Sequence, residues 1–125
     1  MTNILIVDDS PTEIHVLTSM LEKHGFSIAV ANSGEEGIDK AKSEKPDLIV
    51  LDVMMPDKDG YEVSKELSKD EALSGIPVIM LTAVGDYIGS THYSHASGKD
   101  LVADDFFQKP VDPQALVDRI SELLR

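Results

Sequence analysis

Four places in the chain put a side chain able to handle metal ions or phosphate just after a short run that reads as a strand. They are Asp8-Asp9 after ILIV, Asp52 after LIVL, Thr82 after VIML, and Lys109-Pro110 after DFFQ. Three carboxylates, a hydroxyl and an ammonium brought together would be costly by themselves, since two like charges ~4 Å apart repel by about 4 kcal/mol at an effective dielectric near 20. Stability alone would not select such a cluster. A hard divalent cation resolves it, because Mg²⁺ takes one or two carboxylates, keeps waters and shares its remaining positions with phosphate oxygens. A carboxylate beside a metal, a lysine and a hydroxyl is also suited to accept a phosphoryl group. Asp52, central between the acidic pair and Thr82, is the candidate acceptor.

The elements that must bring these residues together can be read from periodicity. Ile4 to Val7, Leu48 to Leu51 and Val78 to Leu81 are apolar at every position and only four long, as strands buried on both faces are. Residues 27–30 and 105–108 mix polar with apolar positions and suit strands at the margins of a sheet. Helical patterns lie between them. Ser10-Pro11 supplies a cap and a first-turn proline before Ile14, Leu17 and Leu21. Ser33 with Glu36 forms a capping box before Ile38 and Ala41. Residues 59–69 carry Val63 and Leu67, and Asp112-Pro113 precedes Leu116, Ile120, Leu123 and Leu124. This alternation predicts an α/β fold: a flavodoxin-like, doubly wound, five-stranded parallel sheet of order 2-1-3-4-5. Sites in such sheets form beyond the carboxyl ends of the strands, where strand order reverses.

The chain has 125 residues, 42% of them hydrophobic, which suits one domain over 1–125 with an ordinary core. Its 23 acidic and 11 basic side chains leave a formal charge of −12, which repels phosphate backbones and anionic membranes. Direct nucleic-acid binding is therefore not expected. Absence of cysteine excludes disulfides, thiolate metal sites and cysteine nucleophiles. Neither a leader peptide nor a membrane span is legible, and a cytoplasmic location is the expectation.

Asp8-Asp9, Asp52 in LIVLDVMMPDKDG, Thr82 in VIMLTA, and DDFFQKP ending at Lys109-Pro110 together closely resemble the receiver domain of two-component response regulators. The resemblance spans essentially the whole chain and suggests a stand-alone, chemotaxis-regulator-like member. It implies that Asp52 accepts a phosphoryl group from a phosphohistidine on a sensor histidine kinase or a histidine phosphotransfer protein, and that a partner-binding surface then switches. By the same resemblance Asp8 and Asp9 hold Mg²⁺ with Asp52, Asp9 and Asp52 most directly, with the backbone carbonyl of Met54 as a further ligand and Mn²⁺ able to substitute. Thr82 and Lys109 would contact the phosphoryl oxygens, Phe106 would be the switch aromatic, and the Lys109–Pro110 bond would be cis. Such a protein is no enzyme beyond catalysing its own phosphotransfer and dephosphorylation.

Departures from the family pattern lie mostly between Thr82 and Lys109. Gly85, Gly89 and Gly98, with Ser90, Ser94 and Ser97, break helical periodicity there, so the fourth helix is expected to be short, displaced or missing. His92 and His95 in this stretch lack the formed helix that would make their spacing a zinc site. His15 and His24 read as surface residues, and Asp57 and Asp59 as a solvated turn feeding the third helix. Met54 and Val84, two positions after Asp52 and Thr82, are both apolar, which implies slow loss of the phosphoryl group. A dehalogenase-type phosphatase would need a general acid where Met54 stands. A flavin carrier would not tolerate Asp8-Asp9 at its phosphate loop. The nearer alternatives are a receiver fragment of a larger regulator or hybrid kinase, and a phosphorylation-independent adaptor; the start Met1-Thr2-Asn3 fits a native beginning.

Overall fold

Continuous aliphatic runs can bury both faces only inside a sheet covered on both sides, and there they lie in the computed structural model, which describes residues 2–82 and 103–124. The strands are β1 (Asn3–Val7), β2 (Ser27–Ala31), β3 (Leu48–Asp52), β4 (Val78–Thr82) and β5 (Asp105–Gln108). All pair in parallel, in the order β2-β1-β3-β4-β5. This is the expected doubly wound sheet. β3 and β4 are buried at every position, whereas β2 and β5, at the edges, are mostly half-buried.

The two-residue period of a strand divides the core between the faces. On one face Leu5, Val7, Ile49, Leu51, Val78 and Met80 meet Ile38 and Ala41 of α2 (Gly34–Glu44) and Val63 and Leu67 of α3 (Gly60–Lys69). On the other, Ile4, Ile6, Leu48, Val50, Ile79 and Leu81 meet Leu17 and Leu21 of α1 (Pro11–Lys23). The C-terminal helix (Pro113–Leu123) adds Leu116, Val117 and Ile120 to that second face. Phe106 packs against the first cluster and Phe107 against the second, so both aromatics of β5 contribute to burial.

Helix starts follow local chemistry. Ser10, Ser33 and Asp59 each accept from the backbone N–H three residues on, capping α1, α2 and α3. Asp112 precedes the C-terminal helix but makes no side-chain cap bond. The solvated-turn reading of Asp57 and Asp59 needs correction on this point. Asp59 is a helix cap, and the two carboxylate oxygens of Asp57 accept from Gly34 N and Glu35 N, each at 3.0 Å. Asp57 thereby ties the segment after β3 to the start of α2, where the partial positive charge of the helix favours an anion. Gly60 is required by close approach, since a Cβ there would stand 2.7 Å from the carbonyl oxygen of Asp52. The expected departure in the fourth helix, with Val84, His92 and His95, lies outside the described residues. Among the described residues no helix is long and apolar enough to cross a membrane.

Candidate functional site

Register places the ends of β1, β3 and β4 side by side. Val7 pairs with Leu51 and Asp52 with Leu81, so Asp8, Asp52 and Thr82 follow one another along the carboxyl rim of the sheet. Asp8 is 1% exposed and Asp52 4% exposed. Asp8 N donates to Ala31 O, and Asp8 Oδ1 accepts from Ser10 N at 2.9 Å, which turns the chain into α1. From the first turn of α1 the side chain of Glu13 reaches back to the rim. Beyond β5, Lys109 N donates to Thr82 O, and the Lys109 ammonium donates to Asp52 Oδ1 and Glu13 Oε2, each at 2.7 Å. One carboxylate oxygen each from Asp8, Glu13 and Asp52 lie within 4.8 Å of one another.

Electrostatics at this rim are unsettled without a further cation. Burial pushes the Asp8 carboxyl up to about 7, reinforced by a hydrogen bond with Glu13 and opposed by the Ser10 N–H. Burial also raises Asp52, against the opposing hydrogen bond and charge of Lys109. Glu13 moves the other way: burial raises it, but hydrogen bonds with Lys109 and Asp8 outweigh that and leave it lowered. Of the two, Asp8 is therefore the carboxyl that takes up a proton more readily and Glu13 the one that keeps its charge. Lys109 is lowered by burial but raised on balance by Asp52 and Glu13, and so remains an ammonium. Asp8 Oδ2 is buried and has no hydrogen-bond partner. A desolvated, unpartnered carboxylate oxygen facing two further carboxylates is a donor set that fits Mg²⁺.

The remaining residues singled out from sequence surround this trio. Asp9 is exposed, since successive side chains of the extended chain point opposite ways, and it lies outside the trio, although its charge helps raise Asp52. Met54, in the segment after β3, has its side chain 61% exposed. Thr82 is 3% exposed, and its hydroxyl donates weakly to Phe107 O at 3.5 Å. Phe106 is half-buried, with its ring tilted against Tyr61 of α3 at a centroid distance of 6.3 Å. The Lys109–Pro110 peptide bond is cis. Glu13 was not among the sequence-derived candidates.

Residues 4–121 match the response regulator receiver domain family. The chain belongs to that family. It is 41% identical to protein PilH of Pseudomonas aeruginosa over 99% of its own length and 98% of that protein. It is 40% identical to the alkaline phosphatase synthesis transcriptional regulatory protein PhoP of Bacillus subtilis, and there it spans 48% of the relative. The chain thus covers nearly all of one relative and about half of longer transcriptional regulators. Among solved structures it resembles a response regulator from Chloroflexus aurantiacus, with 33% identity and a TM-score of 0.86 over 98% of this chain and 97% of that one. Chemotaxis protein CheY4 of Vibrio cholerae is similar at 27% identity and a TM-score of 0.85, over 99% of each chain.

Proposed function

We propose that residues 1–125 form one response regulatory receiver domain that takes a phosphoryl group onto Asp52 from a phosphohistidine of a histidine kinase or phosphotransfer protein. The observation that carries this reading is the placement of Asp52, a buried carboxylate with one oxygen held by Lys109 at 2.7 Å beside the acidic trio. A carboxylate oxygen of Asp52 attacks phosphorus, the phosphorus–nitrogen bond of the donor breaks, and its electron pair returns to the imidazole nitrogen. Lys109 and Thr82 receive the phosphoryl oxygens, so that charge moved onto the group meets donors already in place. Asp8, Asp9 and Asp52, with the backbone carbonyl of Met54, would hold Mg²⁺ or Mn²⁺, whose charge neutralises the transferring group. Phe106, at the far end of β5 from Lys109 and against Tyr61, is the candidate switch that passes the change to a partner surface.

A transferred group that stays on the protein makes this a signalling device and not an enzyme of external substrates. Its charge of −12 favours protein partners over nucleic acid. The location that accords with this reading is the cytoplasm. The test is to incubate the protein with Mg²⁺ and acetyl phosphate or phosphoramidate and weigh it intact. One added phosphoryl is expected, absent with EDTA and absent from Asp52→Ala. A wild-type mass that never changes refutes the reading.

A further inference from the structure

Glu13 stands third in α1 after the Ser10 cap, a position from which a glutamate commonly folds back to bond the backbone at the helix start. Glu36, third in α2 after Ser33, does this, accepting from Asn32 N at 2.8 Å. In α1 the N–H of the cap residue itself, the donor that a capping box would use, is already taken, because Ser10 N bonds Asp8 Oδ1. Glu13 is thereby released from capping. Its carboxylate turns over the rim to Lys109 Nζ at 2.7 Å, with an oxygen within 4.8 Å of those of Asp8 and Asp52. A second observation points to a ligand at the same spot: Asp8 is 1% exposed, and its Oδ2 has no partner.

We propose that Glu13 is a positioning residue of the phosphorylation site, drawing the Lys109 ammonium to the α1 side of Asp52 and adding a further carboxylate charge beside the divalent-cation set. The proposal rests on the reading of Asp52 as acceptor and of its surroundings as a cation site. Loss of the Glu13 charge leaves Lys109 to pair with Asp52 alone, so that the ammonium and the divalent cation compete more directly for one carboxylate.

The test is calorimetric titration of Mg²⁺ into the whole chain and into Glu13→Gln, Glu13→Asp and Glu22→Gln, with thermal melts to confirm folding. Glu22 is an exposed residue of the same helix and controls for net charge. Glu13→Gln is expected to weaken Mg²⁺ binding roughly ten-fold, the scale set by partners just outside a metal's ligands. Glu13→Asp, which keeps the charge, should recover most of the loss, and Glu22→Gln should change little. An unchanged affinity in Glu13→Gln, or an equal loss in Glu22→Gln, overturns the role of Glu13 while a wild-type protein that still gains phosphoryl keeps the underlying reading intact. A wild-type protein that neither binds Mg²⁺ nor gains phosphoryl overturns both.

Discussion

Asp8 is where burial and charge work hardest against each other. Its folded-state pKa is pushed up to about 7, from 3.8, first by burial and then by the hydrogen bond with Glu13. A carboxyl raised on folding contributes stability that is complete below its unfolded pKa and is lost as pH climbs through its folded value. Glu13, Glu36 and Asp57 are shifted downward and act in the opposite sense, but their titration is finished by about pH 5. In EDTA the melting temperature should therefore fall by at least about 4 °C between about pH 5.5 and about pH 7.5, and Mg²⁺ at the higher pH should restore it. A melting temperature independent of pH across that range would show that Asp8 is already ionised and satisfied. At this scale the sequence was partly readable. Aspartates at the ends of apolar runs announce themselves, whereas Glu13 gives no signal, because Ser10-Pro11-Thr12-Glu13 has the spacing of a capping box. Only the fold reveals that Asp8 has taken the donor that Glu13 would otherwise bond.

Among the elements, β3, α3 and the segment between them do most to place Asp52. α3 begins so close to the end of β3 that Gly60 N donates to Val53 O at 2.7 Å. A methyl group at Gly60 would meet Asp52 O at 2.7 Å and Val53 Cα at 2.9 Å, both backbone atoms that cannot swing aside. Gly60→Ala should thus cost about 1–3 kcal/mol of stability, as overpacking does, and slow phosphorylation by shifting the backbone of the acceptor. Urea denaturation and the time course of mass gain would check both effects; a variant as stable and as fast as the parent would contradict the tight approach. Strands and helix starts were legible because their signals are local: fully apolar runs such as Leu48 to Leu51, and caps such as Ser10 and Ser33. The bridge from Asp57 to the start of α2 was not legible. Its partners, Gly34 and Glu35, are more than twenty residues away, and nothing in MPDKDG distinguishes a carboxylate that caps a remote helix from one left in water.

Across the molecule, the sheet converts four widely separated stretches into one rim, and the chemistry proposed for that rim depends on their meeting there. The apolar pattern was sufficient to foresee which strands lie inside and which at the edges, and the flavodoxin-like order compatible with that division is the one observed. The apolar character of Met54 and Val84 bears on how long the modified state lasts, since neither side chain can orient water for attack on an acyl phosphate. The phosphorylated protein should keep its group for minutes or longer in Mg²⁺ buffer after donor removal; a half-life of seconds would contradict this. The most direct measurement is to phosphorylate the chain with acetyl phosphate, reduce the acyl phosphate with borohydride, and map the resulting homoserine by peptide mass spectrometry. Homoserine should stand in place of Asp52 alone. Its appearance at Asp8, Asp9 or Glu13 instead, or at no position in a folded Mg²⁺-loaded protein, would contradict the assignment of Asp52 as acceptor.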